Sequence, residues 1–175
     1  MENEGLPGEK KIERRIRRMR LEDIPQVVAI DQASFSLPWP ERSFRFELTQ
    51  NQTSRSWVCE FEEENGSTVI TGMLVIWLII DEAHIATIAI DPAFRRRSIA
   101  QRLLATGLKE MYQEGARTSY LEVRRGNISA QQLYFKFGFV EVGVRPRYYK
   151  DNFEDAILMT LSKIQPELLE QFLEE

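Results

Sequence analysis

Apolar residues recur at helical spacing over Ile24, Val27, Val28, Ile30 and Ala33, which predicts an amphipathic first helix after an opening at Leu21-Glu22-Asp23. Two prolines flank Trp39 in Phe35-Ser36-Leu37-Pro38-Trp39-Pro40 and cannot continue that helix. A second helix is expected from Pro40 or Glu41 to Thr49, with Phe44 and Leu48 facing inward. Upstream, Ile12, Ile16 and Met19 share helical spacing, but the separate helix start at Leu21 makes Glu13 to Arg20 a short first strand. The pattern then shortens its period. Ser56 to Phe61 and Val69 to Ile80 are expected strands around Glu62-Glu63-Glu64-Asn65-Gly66, whose Asn-Gly is a strong hairpin signal. Asp81-Glu82 leads into a third strand, Ala83 to Ile90, completing an antiparallel meander.

From Ser98 to about Gln113 the residues Ala100, Leu103, Leu104, Leu108 and Met111 fall on one helical face, and Gly115 supplies the stop. Tyr120-Leu121-Glu122-Val123 is the next strand, and a strand–helix–strand connection predicts parallel neighbours. Asn127 opens another helix, with Ala130, Leu133, Tyr134 and Phe137 on its buried side and Gly138 at its end. Phe139 to Tyr149 and Phe153 to Leu161 form a closing hairpin around Lys150-Asp151-Asn152. The expected organisation is a polar, disordered tail over 1–12, one domain over 13–163, and a short acidic helix over 164–175 that starts at Pro166.

Composition narrows the function classes. With 23 Lys plus Arg against 27 Asp plus Glu in 175 residues, the chain presents no broad field for a polyanion. The arginines of the first strand lack the interleaved aromatics of a nucleic-acid surface and suit a solvated edge strand. One cysteine, Cys59, and one histidine, His84, exclude an internal disulfide and argue against a Cys- or His-based metal cluster; both suit packing roles. The apolar run Val69 to Ile80 is far shorter than the roughly 20 residues of a bilayer span, and the N-terminus lacks a signal-peptide core, so a cytoplasmic location is expected.

The chemistry concentrates at Thr87 to Leu104, a strand stopped by Pro92, a basic turn and a helix start. Free backbone N–H groups of a first helical turn, the positive end of the helix dipole and Arg95, Arg96 and Arg97 together suit a polyphosphate. Taken alone, the same turn reads equally as solvated surface. Trp39 is either a core plug or the lip of a groove.

Arg95-Arg96-Arg97-Ser98-Ile99-Ala100 resembles the acyl-CoA signature of the GNAT superfamily of N-acetyltransferases, with Ser98 where that family usually carries Gly. A missing Cβ there lets phosphate approach the backbone and frees φ; the Ser98 hydroxyl could instead cap the helix or bond a phosphate. A second block, Leu121 to Phe139, resembles the family's Asn-opened helix with a central Tyr before Gly-Phe. Leu121-Glu122-Val123-Arg124, Pro38-Trp39, Tyr148-Tyr149 and Glu154-Asp155-Ala156 are similar to the bacterial ribosomal-protein-alanine N-acetyltransferase branch.

The resemblance implies an α+β GNAT fold, with a mixed, mostly antiparallel central sheet of about seven strands flanked by helices. It implies acetyl-CoA as the donor and, as acceptor, a protein or peptide with a free N-terminus, a ribosomal protein being one expected target. Glu122 would be the general base through water, and Tyr134 the acid for the CoA thiolate. Backbone groups of Ile88, Ala89 and Ile90 would hold the pantetheine, and the Ile90 N–H would polarise the thioester carbonyl. Arg95 would add phosphate-binding charge, Arg96, Arg97, Ser98, Ile99, Ala100 and Gln101 would line the diphosphate, and Asn127 would contact the cofactor. Trp39, Tyr148 and Tyr149 would form the acceptor groove. At pH 7 roughly one α-amine in ten is neutral against fewer than about one lysine in a thousand, so a modest base serves an α-amine more easily. Two other readings stand beside this one: the same chemistry on a lysine, polyamine or drug, and a non-catalytic acyl-CoA-binding module. No motif points to a metal, direct nucleic-acid contact or a membrane, and none sets an oligomeric state.

Overall fold

The computed structural model describes residues 14–174; the tail expected over 1–12 lies outside them. Seven strands form one open sheet in the order β1-β2-β3-β4-β5-β7-β6. β1 (Arg14–Arg18), β2 (Ser54–Glu62), β3 (Thr68–Ile79) and β4 (Glu82–Ile90) pair antiparallel, the β2–β4 meander as expected around Asn65-Gly66 and β1 as an edge strand. β5 (Thr118–Arg124) lies parallel to β4, and β7 (Ala156–Leu161) separates it from the edge strand β6 (Val140–Arg145).

The strands bury both faces, and the alternation decides which residue goes where. Trp57, Cys59, Leu74 and Ile76 point into one core with α3 (Ile99–Gln113), while Val58, Met73 and Val75 point into the other with α1 (Ile24–Ser34) and α2 (Glu41–Thr49). Gly107 lets α3 sit close on the sheet: a Cβ there would lie 2.6 Å from Leu74 Cδ2. α4 (Ile128–Lys136) adds Tyr134 to the α3 core, with Asn127 capping it by accepting the Ala130 N–H, and α5 (Pro166–Leu169) packs against α3. Ala33, placed on the inner face of α1 by spacing alone, is exposed; in that last turn Asp31 is the buried residue. Among the described residues no helix is long and apolar enough to cross a membrane.

Two departures from the expected pattern position the site. β4 and β5 pair only at Glu82–Thr118, Ala83–Ser119 and His84–Tyr120 and then separate. At that point the β3–β4 register shifts between Val75 and Ile76, leaving Ala86 as the extra residue of a bulge that bends β4 away. The second departure is the closing hairpin, which is shorter than its apolar pattern suggests: residues 146–155 form an irregular connection instead of a tight turn. Arg147 and Phe153 adopt left-handed backbone there, and Asp155 accepts the Arg147 N–H at 2.9 Å, so side-chain bonds replace ladder bonds.

Candidate active site

Between the separated ends of β4 and β5 lies a cleft of about 940 Å³. Its β4 wall offers unpaired backbone. Asp91 N–H donates to Thr71 on β3, and successive N–H groups of a strand point to opposite sides, so the Ile90 N–H points into the cleft. The Ile90 carbonyl faces the same way and accepts Arg95 Nε at 3.3 Å. Ile88, Ala89 and Ile90 thus line an edge that an extended ligand can join as an added strand.

Below this edge the chain makes one 3-10 turn, Pro92–Phe94, fixed by Asp91 accepting the Ala93 N–H at 2.9 Å. Arg96 and Ser98 then both take left-handed backbone, with φ of 62° and 57°. That double reversal turns the start of α3 toward the cleft, and Ser98 makes no side-chain cap. The first-turn amides of Ile99, Ala100 and Gln101 are left for an anion, beside Arg95 and Arg96. Arg97 is the exception in this turn: its guanidinium lies over the Phe94 ring at 5.4 Å, away from the cleft wall, and its carbonyl accepts Arg14 Nη1 at 3.2 Å. The expected capping role of Ser98 is therefore not what the structure has; its backbone conformation is its contribution.

The opposite wall carries Glu122, Asn127 and Tyr134. Glu122 sits on β5 with its side chain 30% exposed and Oε1 3.3 Å from Arg145 Nη1 on β6. Tyr134, on α4, is buried against Phe139 with ring centroids 5.7 Å apart. Burial, and next the neighbouring Tyr149, push its phenol well above the ordinary tyrosine value, so it remains a neutral proton donor. One end of the cleft is bordered by Trp39, whose ring packs tilted against Phe44 with centroids 5.3 Å apart, and by Tyr149. Trp39 is thus both a core contact and a lip. Burial raises the Tyr149 phenol to about 12, against the opposing pull of Arg124.

Tyr148 does not line the cleft with Tyr149. Its ring stands at 87° to that of Tyr149, and the nearby Glu122 carboxylate, followed by burial, raises its pKa. Arg124 escaped the sequence reading as a site residue: it stacks on Tyr149 and reaches Asp151 and Glu154. Phe35, Leu37 and Phe94 add an apolar lining that their spacing did not reveal. Among the described residues no group of three or more His, Cys, Asp or Glu side chains is placed to hold a metal ion.

A cleft with a free strand edge, uncapped helix amides and flanking arginines fits an elongated diphosphate-bearing acyl carrier. The model of the acetyltransferase (GNAT) family matches residues 24–139. The chain belongs to the GNAT acetyltransferase family. It is similar to a Bacillus subtilis (strain 168) protein provisionally named a [ribosomal protein bS18]-alanine N-acetyltransferase, 40% identical over 82% of this chain and 92% of the relative. It is also 33% identical to the Escherichia coli (strain K12) [ribosomal protein bS18]-alanine N-acetyltransferase, over 79% of this chain and 90% of the relative. The crystal structure of the Escherichia coli ribosomal-protein-S18-alanine N-acetyltransferase superposes with a TM-score of 0.74 at 28% identity, covering 87% of this chain and 96% of the other. Arabidopsis thaliana NAA60 in complex with acetyl-CoA shares the fold, with a TM-score of 0.76 at 17% identity over 85% and 98% of the two chains. This GNAT enzyme is an N-acetyltransferase that uses acetyl-CoA, and its cleft has the donor set the carrier requires: backbone for the pantetheine amides and helix N–H groups with cations for the diphosphate.

Proposed function

We propose that this GNAT enzyme acetylates the α-amino group of a protein N-terminus, with the N-terminal alanine of ribosomal protein bS18 as its target. The observation that carries the reading is the convergence of Glu122, Tyr134 and the inward Ile90 N–H on one cleft. The names of the relatives at 40% and 33% identity point to the same acceptor. The reading places the protein in the cytoplasm, where ribosomal proteins are made.

Acetyl-CoA supplies an activated acetyl thioester. Ile88, Ala89 and Ile90 hold the carrier's extended arm, and the Ile90 N–H donates to the carbonyl oxygen as negative charge develops on it. The amides of Ile99, Ala100 and Gln101, with Arg95 and Arg96, hold the diphosphate. Asn127 borders the carrier where α4 begins. Glu122 takes the proton of the attacking amine through water, and Tyr134 gives its own proton to the departing sulfur. Arg145 pairs with the Glu122 carboxylate, while Trp39 and Tyr149 form the walls that receive the peptide.

The test is CoA release and mass spectrometry with a short peptide bearing a free N-terminal Ala and an internal Lys, beside its Nα-blocked twin. Acetylation of the free α-amine alone is expected. Acetylation of the blocked twin would move the acceptor to lysine and reject the reading.

A further inference from the structure

One ionisable side chain on the acceptor side of the cleft has no part in the chemistry above. Asp31, near the end of α1, is fully buried, although the cleft wall passes over it. Its Oδ2 accepts the backbone N–H of Trp39 at 2.6 Å, and its own carbonyl accepts the N–H of Phe35 at 3.0 Å. Oδ1 is buried with no hydrogen-bond partner among the described residues. Burial raises the carboxyl's pKa and the Trp39 N–H pulls it back, so this group sits where an apolar residue would cost less.

The segment it holds has few other ties. Pro38 and Pro40 have no N–H to give, and among the described residues the Trp39 N–H is the one backbone donor from Ser36 to Pro40 with a partner, Asp31. Ser36 reaches across to Asp151 only through its side chain. Phe35, Leu37 and Trp39 nevertheless line the cleft, so the backbone of this wall depends on one charge-assisted bond.

We infer that Asp31 is a positioning residue for the acceptor: its carboxylate holds Trp39 and the 35–40 segment as a preformed wall for the incoming N-terminal peptide. The inference rests on the peptide-acceptor reading above. A preformed wall spares the peptide the cost of ordering it, so loss of the bond weakens peptide binding and leaves the donor side, built from β4 and α3, unchanged.

The experiment compares Asp31→Ala, Asp31→Leu and Asp31→Asn with the wild type. Asp31→Leu keeps the bulk and removes the acceptor; Asp31→Asn keeps an acceptor oxygen. Expected for Ala and Leu is a peptide KM about tenfold higher, with kcat and the acetyl-CoA KM within about twofold. Asp31→Asn is expected within about threefold of wild type. The Kd of a fluorescent free-N-terminus peptide for CoA-saturated enzyme follows the same order, independently of turnover. Equal changes in both KM values, no rescue by Asn, or failure of both Ala and Leu to fold would overturn the inference in favour of a purely structural role. Wild-type enzyme that leaves the free α-amine unmodified rejects the acceptor reading itself, a separate outcome.

Discussion

Arg124 lies over the ring of Tyr149, with its guanidinium carbon 3.9 Å from the ring centroid, while its nitrogens reach Asp151 at 3.0 Å and Glu154 at 3.3 Å. One side chain from the end of β5 therefore organises the irregular 146–155 connection and aims Tyr149 at the cleft. Asp151 in turn accepts from Ser36, so the two loops flanking the acceptor end meet through it. Replacing Arg124 by Met keeps the stem but removes the charge that the ring face and both carboxylates share. The expected result is a peptide KM raised about tenfold, a smaller change in the acetyl-CoA KM, and a modestly lower Tm, read by steady-state kinetics and thermal unfolding.

Ser98 holds a φ of 57°, a region where a Cβ is costly and glycine is not. After allowance for glycine's greater unfolded-state freedom, Ser98→Gly is expected to stabilise the enzyme by about 0.5–1 kcal/mol. The CoA Kd is expected to stay equal or tighten, since no cap is lost. Denaturant unfolding and calorimetry check the two parts.

Glu122→Gln and Tyr134→Phe are each expected to lower kcat by about 10²–10⁴. Because burial holds the Tyr134 phenol above its usual value, its proton stays available through alkaline pH. A kcat–pH profile is expected to show no falling limb from this residue below about pH 10. A limb near pH 9 that disappears in Tyr134→Phe would contradict the raised pKa of this phenol while keeping it as the acid.

Away from the cleft, Arg17 bridges Asp23 at 2.7 Å and Glu60 at 2.6 Å, joining β1 to the start of α1 and to β2. Burial favours the neutral form of Asp23, but the Arg17 and Arg20 hydrogen bonds outweigh it and hold the carboxyl below its ordinary value. A lowered folded-state pKa means the stabilisation is present above the unfolded value of about 3.9 and is lost as pH falls through the folded value. Asp23→Asn is expected to cost about 1–2 kcal/mol at pH 7, allowing for solvent screening. The Tm gap between variant and wild type is expected to narrow below about pH 4.

Periodicity was a reliable guide wherever one element's own pattern set its neighbours. The alternation in Trp57-Val58-Cys59 and Met73-Leu74-Val75-Ile76 assigns each side chain to a face, and Asn127 caps α4 where its side chain allows. The parallel pairing of β4 with β5 follows from the helix between them. Ile90, the α3 amides, Glu122 and Tyr134 share one cleft because the strand–turn–helix–strand–helix order brings the C-terminal halves of the parallel β4 and β5, the start of α3 and the following α4 together in the middle of the sheet.

The residues that diverged from expectation are those whose direction depends on distant partners. Arg97 and Arg96 are adjacent and chemically alike, yet one covers Phe94 and the other borders the cleft, because a left-handed backbone at Arg96 and at Ser98 turns the chain twice. Tyr148 and Tyr149 part, with Arg145 of β6 over one ring and Arg124 of β5 over the other. Asp31 reads in the chain as an ordinary polar position on a helix, and only folding buries it beneath Trp39. Local periodicity, caps and proline breaks act within a few residues and so were determined by the sequence by itself. The separation of β4 from β5, the shape of the 146–155 connection and the orphaned oxygen of Asp31 arise from contacts between segments far apart in the chain, which only the tertiary structure brings within bonding distance.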